Sequence, residues 1–170
     1  MYDFKIAAPD KPELYRQLIA AADALTESEP DAIANMANVA ALLWESLPDL
    51  NWAGFYRNIG GELVLGPFQG RAACIRIPVG KGVCGTAAAT LAPQLVGDVH
   101  AFPGHIACDA ASASELVVPV VGTDGALIAV LDLDSPTPDR FDQEDLAGCL
   151  ELARRLSGRL GGVAKASLAS

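Results

Sequence analysis

A change of hydrophobic period at Asn51 constrains the fold more than any other feature of the sequence. Before it, apolar residues recur at helical spacing in two segments, 10–25 and 31–47. After it, apolar and polar residues alternate through several short segments, which is typical of strands with one buried face. Helical spacing returns near Asp142 and ends at Gly161. Helices at both ends of a run of strands predict an α+β fold.

The strand candidates lie close together along the chain, at 51–57, 62–69, 74–79, 94–97, 115–121 and 126–134. Gly60–Gly61 and Asp124–Gly125 have the composition of hairpin turns. An Ala-rich helix is expected over 82–91, and the irregular stretch 98–114 has a length that is uncommon unless functional. We therefore expect an antiparallel sheet with the N- and C-terminal helices packed on one face and a ligand pocket on the other.

Length and composition predict a single domain over residues 1–170, since 51% of the residues are hydrophobic and 19% are charged. No apolar stretch reaches the roughly 20 residues that span a bilayer, and no signal peptide opens the chain, so the expected location is cytoplasmic. A net charge of −9 argues against nucleic acid and membrane surfaces as partners.

Strand alternation sorts the candidate binding residues by face. It places Trp52, Gly54 and Tyr56 together, which predicts an apolar slot between two aromatic rings, although ordinary sheet packing would explain the same pattern. Asp132 and Asp134 share a face of the last strand.

Glu115 opens the preceding strand and could converge on the same cavity as these two carboxylates. Asp132 follows an apolar run and is expected to be buried, whereas Asp134 could simply turn the chain at the strand end. Three acids without a nearby lysine point to a cationic ligand group, a proton donor, or both.

The four cysteines have different surroundings. Cys149 lies on the apolar stripe of the last helix and is expected in the core. Cys74 is expected to be accessible, on the face opposite the apolar row of Ile75, Ile77 and Val79. Cys84 begins the Ala-rich helix beside Lys81, where the helix dipole and the lysine would lower its pKa. Cys108 lies in the long irregular stretch near His105 and is the first candidate for the nucleophile.

A zinc site built from these cysteines with His100 and His105 is the alternative. Structural zinc sites usually bring ligands in pairs about 2–4 residues apart, and no two cysteines here are that close. We therefore expect no metal.

Six motifs occur in order along nearly the whole chain: Asn51–Tyr56, Leu65–Gly70, Gly80–Gly85, His105–Asp109, Ser114–Glu115 and Val130–Ser135. With these motifs the chain resembles the free methionine-(R)-sulfoxide reductases, a branch of the GAF domain fold. These enzymes act on free rather than protein-bound methionine sulfoxide.

The resemblance implies a catalytic set of Cys108, Cys74 and Cys84, with Cys108 as nucleophile and Cys74 as the resolving thiol. It implies that Trp52 and Tyr56 line the methyl and thioether end of the substrate pocket. Glu115, Asp132 and Asp134 would then hold the ammonium and sulfoxide ends.

The resemblance further implies a sulfenic acid and disulfide mechanism without a cofactor, with thioredoxin as reductant, and a family that is often a homodimer. Two other functions fit part of the pattern: a GAF module that senses a small ligand without catalysis, and a thiol peroxidase. A sensor does not need three cysteines placed off the core, and a peroxidase does not need the aromatic slot and the acids.

Overall fold

The computed structural model describes residues 4, 6–104 and 110–161, and its elements follow the order that the periodicity predicts. The helices are α1 Lys11–Thr26, α2 Ala32–Ser46, α3 Gly82–Thr90 and α4 Gln143–Leu160; the strands are β1 Trp52–Ile59, β2 Glu62–Gly70, β3 Arg76–Pro78, β4 Gln94–Val96, β5 Ser114–Val121 and β6 Leu127–Ser135. A 3-10 turn, Val99–Ala101, lies in the long connection between β4 and β5.

The six strands form one antiparallel sheet in the order β3-β2-β1-β6-β5-β4. Helices α2 and α4 pack against one face of the sheet, and α1 packs against both helices. Alternate residues of the central strands, such as Phe55, Val118 and Leu131, fill the core between them. Helix α3 covers the other face over a second apolar cluster. The predicted α+β architecture is confirmed.

Local sequence explains where these elements begin and turn. Asp10 accepts a hydrogen bond from the Glu13 amide at the start of α1, and Asp31 does the same for the Ala34 amide at the start of α2. The β1–β2 hairpin turns through Gly60 and Gly61, whose φ angles of 62° and 86° favour glycine.

A buried ionic contact that the sequence did not predict joins α1 to α4. Asp145 completes the capping box of α4 and accepts hydrogen bonds from Lys11 at 2.6 Å, Arg140 at 3.2 Å and the Tyr15 hydroxyl at 3.0 Å. Because the carboxylate is fully buried, these donors replace the water that it loses.

Strand β3 is shorter than predicted. We expected a strand over 74–79 with Ile75, Ile77 and Val79 on one face, but the strand spans only Arg76–Pro78, and of these three residues only Ile77 is buried. The position of β3 explains its short length, because β3 lies at the edge of the sheet and pairs with β2 alone in the described part of the chain. Among the described residues, no helix combines the length and apolarity needed to cross a membrane.

Candidate active site

Three acidic residues converge on the α3 side of the sheet, as the sequence predicts. The register pairs Glu115 of β5 with Asp134 of β6, and Asp134 with Trp52 of β1. Asp132 lies two residues before Asp134, opposite Val117. Glu115 and Asp132 are only 6% and 5% exposed, so both carboxyl groups lie beneath the protein surface.

Helix α3 brings Cys84 onto these acids. The helix is rich in glycine and alanine, which lets its backbone approach the sheet closely, and its packed face carries Val83, Cys84 and Ala87. The Cys84 thiol donates to Oε1 of Glu115 at 3.8 Å. One ligand atom each of Cys84, Glu115 and Asp132 lies within 4.8 Å of the others. We call these three residues the acid cluster.

Burial raises the pKa of both carboxyl groups of the acid cluster. Desolvation, reinforced by the charges of Asp132 and Asp134, raises the pKa of Glu115 well above its ordinary value. Desolvation also raises the pKa of Asp132 to about 7, although hydrogen bonds with Cys84 and Glu115 oppose that rise. The hydrogen bond between the two carboxyl groups favours the proton on Glu115. Glu115 therefore binds its proton more tightly than an ordinary glutamate does.

The expected lowering of the Cys84 pKa is wrong. The thiol is 3% exposed, and desolvation together with the charges of Asp132, Glu115 and Asp134 raises its pKa well above the ordinary value. Cys84 lies near the N-terminal end of α3 and close to Lys81 in the chain, as predicted. Lys81 is exposed, however, and this end of the helix faces buried carboxyl groups. Cys84 is thus a neutral hydrogen-bond donor in this arrangement.

An aromatic wall lies beside the acid cluster. Trp52 stacks on Tyr56 with ring centroids 5.7 Å apart and on Phe68 with centroids 5.2 Å apart. The predicted pairing of Trp52 with Tyr56 is confirmed, whereas Phe68 was missed because its strand, β2, has weak alternation. The Trp52 indole Nε1 is buried without a hydrogen-bond partner among the described residues, and so is Oδ1 of Asp132.

The slot expected at Gly54 is filled by protein. A Cβ atom at this position would lie 2.4 Å from Cβ of Phe68 and 2.8 Å from the Pro67 carbonyl oxygen. Gly54 is therefore required for the close approach of β2 to β1, and it leaves no gap between the rings of Trp52 and Tyr56.

Cys74 is half-buried and disulfide-bonded. It packs partly against the apolar cluster under α3, and its carbonyl oxygen accepts a hydrogen bond of 3.1 Å from the Tyr56 hydroxyl. Of the apolar row expected on the face opposite Cys74, only Ile77 is buried, whereas Ile75 and Val79 are exposed. Tyr56 thus connects the aromatic wall directly to the segment of Cys74.

The other two cysteine predictions have different outcomes. Cys149 is fully buried in the core and is a free thiol that contacts the Tyr15 hydroxyl at 3.8 Å, so the prediction of a core cysteine is confirmed. Cys108 and His105 lie outside the described residues, and their roles stay predictions.

The acid cluster has the donor atoms of a small cation site. It differs from the zinc set weighed from the sequence, since Cys84 meets Glu115 and Asp132 rather than histidines. Metal ligands must be deprotonated, whereas burial raises the pKa of all three groups. At neutral pH the cluster is therefore better suited to hold and donate protons.

Comparison with known proteins agrees with this fold. A model of the GAF domain family matches residues 34–157. The free methionine-R-sulfoxide reductase of Escherichia coli (strain K12) is 52% identical over 147 residues, which cover 86% of this chain and 88% of that protein. The Saccharomyces cerevisiae protein of the same name is 41% identical, covering 87% of this chain and 86% of the yeast protein.

A solved structure is similar over almost the full length. It is the X-ray structure of the free methionine-R-sulfoxide reductase from Neisseria meningitidis in complex with its substrate, with a TM-score of 0.91, 44% identity and coverage of 98% of this chain and 99% of that chain. The chain belongs to the GAF domain family and, within it, to the free methionine-R-sulfoxide reductase family.

The raised pKa of Asp132 predicts a pH-dependent stability. A carboxyl group whose pKa is about 7 in the folded state and 3.8 when unfolded binds its proton more tightly in the folded state. Its contribution to stability is therefore complete below pH 3.8 and is lost as the pH rises to about 7. We expect Asp132→Asn to lose less stability than the wild type as the pH rises, and to be more stable than the wild type at pH 8.

Urea unfolding at pH 5 and pH 8 measures the effect, with Glu45→Gln as the control because Glu45 is exposed on α2. If the free energy of unfolding differs between pH 5 and pH 8 by the same amount in Asp132→Asn as in the wild type, the burial argument is contradicted.

Proposed function

We propose that this chain reduces free L-methionine-(R)-sulfoxide to methionine, with Cys108 as the nucleophile and Glu115 as the proton donor. The observation that carries the proposal is the acid cluster, in which Glu115 is buried beside an aromatic wall and its pKa is raised well above the ordinary value. Sulfoxide reduction needs an acid at neutral pH, because the oxygen leaves only after protonation. Family membership supports the same reaction.

The polar and apolar groups of the site match the parts of this substrate. The faces of Trp52 and Tyr56 suit the methyl and thioether group. Asp132 and Asp134 suit the ammonium group, and the unsatisfied Oδ1 of Asp132 offers an acceptor. The unsatisfied indole N–H of Trp52 offers a donor to a carboxylate or sulfoxide oxygen. The S-epimer would exchange the positions of the oxygen and methyl groups relative to the acid.

The first chemical step forms a sulfenic acid. The Cys108 thiolate attacks the sulfoxide sulfur while Glu115 protonates the oxygen. A bond forms between the two sulfur atoms. This bond and the sulfur–oxygen bond of the substrate then break as the hydroxyl group transfers to the Cys108 sulfur, which releases methionine and leaves Cys108 as a sulfenic acid. The substrate sulfur gains two electrons and the Cys108 sulfur loses two, so the step balances with one proton. Cys84, held neutral at 3.8 Å from Glu115, helps to position that carboxyl group.

The second step forms a disulfide between Cys108 and Cys74 and releases water. The disulfide-bonded state of Cys74 supports its role as the resolving thiol. A dithiol then supplies two electrons and two protons to restore both thiols. We propose thioredoxin in a reducing cytoplasm as that dithiol. A homodimer stays a prediction.

The substrate assignment predicts discrimination between epimers. The reduced protein is incubated with free L-methionine-(R)-sulfoxide or the S-epimer, and the methionine formed is quantified by chromatography. We expect turnover of the R-epimer and at least tenfold slower turnover of the S-epimer, about 1.4 kcal/mol of discrimination. Equal turnover of both epimers would refute the stereochemical assignment. Binding without any turnover would instead assign a ligand-sensing GAF module.

The cysteine assignments predict different losses in single and multiple turnover. Cys108→Ser should form no methionine even in a single turnover, because the nucleophile is absent. Cys74→Ser should form about one equivalent and then stop, because the sulfenic acid lacks its resolving thiol. Cys149→Ser is the matched control in the core. Full activity of Cys108→Ser would overturn the choice of nucleophile.

A further inference from the structure

An exposed apolar and basic surface surrounds the segment that follows β2. We define the β3 surface by five residues: Arg71, Ile75, Arg76, Val79 and Lys81. Ile75 is 72% exposed, the highest value among the large hydrophobic side chains of the described residues. Val79 is 41% exposed. Ile75 and Val79 thus present two exposed aliphatic side chains on one short segment, with Ile77 buried between them, and exposed apolar patches mark interaction surfaces.

The charge of this surface is opposite to that of the whole protein. The chain carries a net charge of −9, yet no aspartate or glutamate occurs between Glu62 and Asp98. Arg76 forms an ion pair with Glu62 at 2.6 Å. Arg71 and Lys81 are exposed, and neither has an ion-pair partner among the described residues. The β3 surface is thus a local basic region that favours an acidic partner.

The position of this surface connects it to the thiol chemistry. Ile75 follows Cys74 directly, so its exposed side chain lies within one residue of a disulfide-bonded cysteine. β3 is an edge strand, and within residues 4, 6–104 and 110–161 no strand lies along its outer backbone edge. A partner can therefore approach Cys74 from the side without displacing part of the sheet.

We propose that the β3 surface is the docking site for the protein dithiol that reduces the Cys74 disulfide. This inference rests on the proposed function. The partner is an acidic protein with apolar residues around its dithiol, since Ile75 and Val79 supply apolar contacts and Arg71 and Lys81 supply charge. Its thiolate attacks one sulfur of the disulfide to form a mixed disulfide, and its second thiol then releases the reduced enzyme. Two electrons and two protons pass from the partner to the enzyme.

The test compares a protein dithiol with a small one. Turnover of methionine sulfoxide is measured with a bacterial thioredoxin, kept reduced by its NADPH-dependent reductase, and separately with dithiothreitol. Ile75→Ser should raise the KM for thioredoxin about 5- to 10-fold, the size of effect expected from truncating a central contact residue. Turnover with dithiothreitol should be unchanged, because the small dithiol needs no docking surface.

Ile59→Ser is the matched control, since Ile59 is also an exposed strand isoleucine, 43% exposed, at the end of β1. Arg71→Glu should also raise the KM for thioredoxin and weaken its dependence on salt, whereas Arg154→Glu on α4 should not.

The outcomes separate the two proposals. If the wild type turns over with dithiothreitol but Ile75→Ser and Arg71→Glu leave the KM for thioredoxin unchanged, the docking site is wrong and the reductase function stands. If Ile75→Ser slows turnover with both dithiols equally, Ile75 acts in the site and the docking proposal is again wrong. No turnover of the wild type with dithiothreitol would refute the reductase function itself.

Discussion

Two carboxyl groups buried on adjacent strands are the constraint on which the site depends. Glu115 and Asp132 lie beneath α3 with a thiol, Cys84, as their hydrogen-bonding neighbour. Two carboxylates cannot both ionise cheaply at this distance in a poorly solvated environment, so one keeps its proton at neutral pH. The same burial keeps Cys84 neutral. The arrangement provides an acid for chemistry, and the protein loses stability as the pH rises.

The two-sided sheet holds these groups in place. Along β1, Phe55 packs into the main core while Trp52 and Tyr56 face the site, and β5 and β6 alternate in the same way. A shift of register by one residue would move the acids into the core and the core residues onto the site, which is energetically prohibitive. The tightly packed core therefore fixes the geometry of the acids and aromatic rings. Gly54 also helps to fix the aromatic rings, because the absence of a side chain lets β2 bring Phe68 against Trp52.

Much of this arrangement could be predicted from the sequence, because helix and strand periods differ clearly and consecutive strands usually pair. That reasoning placed Asp132 and Asp134 on one face and brought Glu115 to the same cavity, and it placed Trp52 beside Tyr56. It failed where the outcome depends on contacts distant in the sequence. The pKa of Cys84 depends on which groups α3 meets, and the burial of Asp145 depends on Lys11 at the other end of the chain. The exposure of Ile75 depends on β3 being an edge strand, which strand alternation alone does not reveal.

The protonation of Glu115 at neutral pH is the central claim, and carboxyl carbon NMR on protein labelled at glutamate tests it most directly. A titration should show one glutamate resonance that remains in its protonated position through pH 7 and disappears in Glu115→Gln. A Glu115 resonance that titrates near the ordinary value of 4.5 would contradict the account, because the acid needed to protonate the sulfoxide oxygen would then be absent.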